Sequence, residues 1–137
     1  MKNKKLDFKT AELRLELVYS RDDDTGDFEK DIKTYAVLSC SADGPNGSIY
    51  CREENVRTEE FINKNNVRGV KVYRKKMDIR YTETETINTT YDDVVVAYSI
   101  KVPGYVAIAF SVRDSSAKNI EMMVNLANTF KYLKLSQ

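Results

Sequence analysis

Two apolar runs separated by Pro103-Gly104 constrain this chain more than any other feature of it. Val94 to Val102 and Tyr105 to Val112 are each strand-length, and a two-residue Pro-Gly connection leaves room only for an antiparallel return. In the second run, Tyr105, Ala107, Ala109 and Ser111 alternate with Val106, Ile108, Phe110 and Val112, so both faces carry apolar surface. Such a strand belongs inside a sheet, with a helix over one face and at least partial cover on the other. Asp114-Ser115-Ser116 then ends the strand and caps a helix. Ile120, Met123, Val124 and Ala127 recur at helical spacing, with Met122 and Leu126 beside them.

The rest of the chain also reads as strand-rich. Leu13, Leu15, Leu17 and Tyr19 alternate with Arg14, Glu16 and Val18, the period of a half-buried strand. Ile32 to Cys40 and Ile49 to Val56 read as two further strands. Thr58-Glu59-Glu60-Phe61-Ile62 reads as a helical turn with Thr58 at its N-cap. Val70 and Val72 have one parity and Met77, Ile79 and Tyr81 the other, which predicts a β-bulge near Arg74-Lys75-Lys76. Thr82 to Thr86 extends that arm, and Asn88 to Asp93 reads as the turn that follows. Phe130, Tyr132 and Leu133 suggest a closing strand over residues 129–135. The expected fold is therefore α+β: one domain over residues 1–137, with residues 1–10 outside its core. It would be a mainly antiparallel sheet with one long C-terminal helix (about 116–128) and a short helix near 58–65.

Cys40 and Cys51 are the only cysteines, and they flank the turn signal Gly44-Pro45-Asn46-Gly47 symmetrically. A four-residue loop pairs Asp43 with Ser48, and therefore Cys40 with Cys51. A three-residue loop with a bulge at Gly47 puts the thiols on opposite faces. The turn chemistry does not choose between them. A bridge would place maturation in an oxidising compartment, whereas unbridged cysteines would be small buried hydrophobes.

The 137 residues suffice for one ordinary core. The 22 basic and 21 acidic side chains nearly cancel, so no global field points to nucleic acid or a membrane surface. No run is long enough to span a bilayer as a helix. Met1-Lys2-Asn3-Lys4-Lys5 is basic, but no apolar stretch follows Leu6, so no signal peptide is read here. A start methionine replacing a removed signal or lipoprotein anchor would leave the same N-terminus.

With no histidine, a Ser-His-Asp triad, a Cys-His dyad and a histidine metal ligand are excluded. Glu53-Glu54 and Glu59-Glu60 are adjacent pairs whose members point apart on a strand, so no catalytic residue is assigned and no cofactor is expected. Asp22, Asp24 and Asp27 lie in an acidic loop with Gly26 and are the candidate calcium ligands, although the EF-hand position for a bidentate glutamate holds Lys33. A solvated loop is the plainer account. Arg74, Lys76 and Arg80, interleaved with Tyr73 and Tyr81, form the candidate partner-binding cluster. On a strand the three cations would share a solvent face, which is also how edge strands resist aggregation. Glu83 and Glu85 follow and would offset the field, so edge protection is favoured over nucleic acid, with an acidic protein partner in between. Asn46-Gly47-Ser48 and Asn88-Thr89-Thr90 match the N-glycosylation sequon.

The second half shows a strand after Gly69, a polar arm, and the run Tyr105-Val106-Ala107-Ile108-Ala109-Phe110-Ser111. A helix follows, and then Asn128-Thr129-Phe130-Lys131-Tyr132. Over Val67 to Leu135 this order resembles the PsbP-like superfamily, which includes the extrinsic protein P of photosystem II, bacterial lipoproteins and small adaptors. The resemblance implies an α/β sandwich around an antiparallel sheet, in proteins that mostly bind or assemble. It carries no residue-level function. The expectation is a non-enzymatic binding or assembly module with a protein partner, secreted or lipid-anchored in a bacterium. The alternative is a cytoplasmic adaptor, immunity protein or secretion chaperone.

Overall fold

The computed structural model describes residues 13–133; the N-terminal residues 1–10 and the end of the expected closing strand lie outside them. Among the described residues, seven antiparallel strands form one sheet: β1 (Leu13–Tyr19), β2 (Ala42–Gly44), β3 (Gly47–Tyr50), β4 (Arg57–Ile62), β5 (Arg68–Tyr81), β6 (Thr86–Val102) and β7 (Tyr105–Val112). Their order is β1-β7-β6-β5-β3-β2, and β4 also pairs with β5. The sheet curls into a half-barrel. Two helices, α1 (Phe28–Leu38) and α2 (Ala117–Ala127), are each 11 residues long.

The helices cover opposite faces. Directly paired residues of antiparallel strands share a face, so Val70 with Ala97 and Val72 with Val95 point one way. They meet Ile32 and Ala36 of α1, together with Ala107 and Ala109. Val96, Tyr98, Phe110 and Val112 point the other way and meet Met123 and Ala127 of α2. The double-sided apolar pattern of β7 arises here, since β7 lies between β1 and β6 and contributes to both cores.

Several sequence expectations are overturned. There is no single long C-terminal helix: α2 stops at Ala127, and α1 matches it in length. The segment Ile32 to Cys40 is mostly α1 rather than a strand. Its alternation is real, but Phe28, Ile32, Tyr35 and Ala36 also keep helical spacing. Asp27 caps it by accepting a hydrogen bond from the Lys30 N–H, with Glu29 and Asp31 in the first turn. The helix expected near 58–65 is strand β4. A tight turn, with Asn66 at φ 65° and Asn63 N–H donating to the Val67 carbonyl, folds β4 onto Arg68–Tyr73. Cross-strand pairing there overrides the local Thr58 cap signal.

The strand expected over Ile49 to Val56 ends at Tyr50, and a 3₁₀ turn occupies Glu53–Asn55. No bulge interrupts β5 opposite β6, where the register is unbroken from Val70↔Ala97 to Tyr81↔Thr86. The change of partner occurs on the other side, from β4 up to Tyr73 to β3 from Met77. The reversal after β5 falls at Thr82–Glu85, so Asn88 to Asp93 is strand. After α2 the chain forms no strand through residue 133. Instead Phe130 stacks on Tyr98 with ring centroids 4.4 Å apart, and the Tyr132 hydroxyl donates to the Ser99 carbonyl.

Candidate functional site

Beyond the apolar residues beneath α1, the same sheet face turns polar. Arg74 opposes Asp93, and Lys76, Asp78 and Arg80 follow it along β5. Arg74 Nε donates to Asp93 Oδ2 at 2.7 Å, with both side chains buried. Its Nη1 donates to the Ala36 carbonyl near the end of α1 and to Ser39 Oγ. Ser115 Oγ donates to the second Asp93 oxygen at 2.7 Å, and Lys76 Nζ lies 3.7 Å from Asp93. Burial pushes the Lys76 ammonium pKa down, and the nearby Asp93 carboxylate only partly offsets this. Arg80 grips the buried Asp78 through two hydrogen bonds. A cleft of about 360 Å³ beside these groups is lined by Ile49, Tyr91, Arg113 and Asp114 among others.

The disulfide-distance pair borders this region. Asp43 pairs with Ser48, the register that sets the cysteines opposite each other, and their Sγ atoms are 2.07 Å apart. The hairpin is pressed against β5: the Tyr81 N–H donates to the Asn46 carbonyl, and a Cβ on Gly47 would sit 2.0 Å from the Ile79 carbonyl oxygen. Gly47 is thus required by close approach, a constraint that its turn-forming role alone did not reveal.

The expected partner-binding cluster is divided. Arg74 and Lys76 are not on a solvent face: Arg74 is buried, and Lys76 is largely covered. Arg80 is exposed on that face, whereas Tyr73 and Tyr81 lie on the opposite one. Tyr73 donates to Glu59 and carries the Arg57 guanidinium 4.0 Å above its ring. Of the candidate calcium ligands, Asp24 accepts from the Arg21 N–H and Asp27 caps α1, while Asp22 lies in the same exposed loop. Among the described residues, no three acidic or sulfur ligands converge as a metal site.

Sequence reasoning missed the β1 edge. Leu13, Leu15 and Leu17 pair with Val112, Phe110 and Ile108 and therefore share the α2 face. Only Leu13 reaches that core. Leu15 is 61% exposed, Leu17 50% and Tyr19 68%. Val124, Asn125 and Asn128 of α2 line a cleft with Phe61 and Lys71, so helical spacing turns Leu126 to the flank nearer β1. Leu126 and Met122 are also exposed. The edge strands differ in length: β2 has three residues and β4 six, with Arg57, Glu59 and Glu60, whereas β1 has seven, with Arg14 and Glu16 but no lysine or proline, and a register shift against β7 between Val18 and Tyr19.

The chain matches no protein-family model, no curated protein and no solved structure. No helix among the described residues is long and apolar enough to cross a membrane.

Proposed function

We propose that this chain is a non-enzymatic binding or assembly module that engages a protein partner at the β1 edge. The observation carrying this reading is the exposed row Leu15, Leu17 and Tyr19 on the seven-residue edge strand β1, which has neither lysine nor proline. Free edges of this kind invite pairing, and proteins that do not use them usually blunt them. In this reading the buried Arg74–Asp93 pair is scaffolding that locks α1 to the sheet. The protein acts outside the cytoplasm, secreted or lipid-anchored in a bacterium, as the disulfide-distance pair supports. A PsbP-like ancestry fits the same picture.

Site-specific photo-crosslinking in the native cells tests it. Probes at Leu15 and Leu17 should yield a discrete protein adduct, and a probe at Glu83 on the far hairpin tip should not. Equal labelling from all three positions, or none, would overturn the proposal.

A further inference from the structure

Resting on the reading of β1 as a docking edge, we infer that its occupant is the β1 strand of a second copy of this chain. The two strands pair antiparallel about Leu15, joining two sheets into one.

The charge pattern selects this register. Two-fold antiparallel pairing sets one residue opposite itself. Centring on Arg14 or Glu16 puts two like charges face to face, which is destabilising. Centring on Leu15 places Arg14 opposite the partner's Glu16 and Glu16 opposite the partner's Arg14. It also sets Leu13 against the partner's Leu17. Within one chain Arg14 and Glu16 are only loosely engaged, at 3.8 Å, and both are exposed. Glu16 is held in place by the Tyr35 hydroxyl, which donates to its Oε1 at 2.8 Å, leaving Oε2 for an incoming guanidinium.

The apolar face agrees. Because the axis stands perpendicular to the joined sheet, both α2 helices remain on one side. The leucines of the two strands then form one continuous strip between the helices, flanked by Leu126 of each copy. The longest edge strand among the described residues, β1, becomes the centre of the assembly, and the shorter β2 and β4 edges become its ends.

Sedimentation velocity over a concentration series of the intact oxidised chain tests the inference. The wild type should dimerise. Arg14→Glu and Glu16→Arg, each creating two like-charge pairs, should weaken the dimer by about ten-fold or more. The double swap Arg14→Glu/Glu16→Arg should restore it, although both Glu16 variants lose the Tyr35 contact equally. All positions are exposed, and circular dichroism checks that each variant folds. A monomeric wild type, or a swap no better than the single changes, would refute self-pairing. In that event, an adduct between Leu15 and a different protein would leave the β1 docking reading standing. No adduct at all would remove both.

Discussion

Replacing Asp93 with Asn is the sharpest test of how the sheet holds α1. The substitution keeps shape and volume, so no cavity term intrudes, and it retains an acceptor for Ser115. What it removes is the charge facing Arg74 at 2.7 Å. At an effective dielectric of about 20, a pair that close attracts by roughly 6 kcal/mol. Desolvating each ion costs several kcal/mol, so the pair as a whole contributes little net stability. Stranding Arg74 is different, because its side chain is 5% exposed and cannot turn to water without leaving the Ala36 carbonyl. Asp93→Asn should therefore cost about 3 kcal/mol. With a urea m-value of ~1.5–2 kcal/mol/M, the midpoint should fall by roughly 1.5–2 M. Arg74→Met combined with Asp93→Asn should recover much of that loss, giving a coupling energy of about 1–3 kcal/mol in a double-mutant cycle. The expectation fails if Asp93→Asn costs under about 1 kcal/mol, or if the two changes simply add.

Three further outcomes follow from the same structure. Reducing the Cys40–Cys51 bridge frees a loop with sequence separation 11, which by chain entropy should lower stability by about 3 kcal/mol, read as a drop in Tm on adding dithiothreitol. An unchanged Tm, or two reactive thiols in oxidised unfolded protein, would count against the bridge and the extracytoplasmic reading together. Asn63→Ala should cost about 2–4 kcal/mol by calorimetry. Its buried amide accepts from the Asn65 and Val67 N–H groups and donates to the Tyr98 hydroxyl and the Phe130 carbonyl, tying the β4–β5 turn to the chain after α2. At alkaline pH, Tyr35 should erode stability. Its pKa is pushed up to about 12 by burial and by its hydrogen bond to Glu16, so the unfolded chain ionises first. Its contribution is full below about pH 10 and lost as pH rises toward 12, a loss that Tyr35→Phe should abolish.

The legible parts of the chain were those whose signal is local. β6 and β7 declare themselves through apolar alternation around Pro103-Gly104, and α2 through Ser116 and the spacing of Ile120, Met123, Val124 and Ala127. The segment at α1 satisfied two periods at once. Ile32, Thr34, Ala36 and Leu38 alternate as a strand would, and only the cap at Asp27, together with Phe28, Ile32 and Tyr35, argues for a helix. At β4 the local signal pointed the wrong way, since Thr58-Glu59-Glu60 caps well but pairs with Lys71 and its neighbours instead. The solvent-face placement of Arg74 and Lys76 failed because cations on a strand were assumed to seek water, whereas Arg74 found Asp93 across the β5–β6 ladder.

Taken alone, the sequence determined a mainly antiparallel sheet, an amphipathic helix after Ser116, and a hairpin in which Cys40 and Cys51 were able to meet. Alternation, caps and turn residues act over a few bonds, so they can be read without the fold. Only the tertiary structure decided that a second helix covers the other face and that Arg74 is interior. It also decided that Leu15 and Leu17, which read as core, lie on an open edge. Alternation shows that residues share a face, but what covers that face depends on elements distant in the chain. α2 packs on β6 and β7, and that leaves Leu15 and Leu17 exposed.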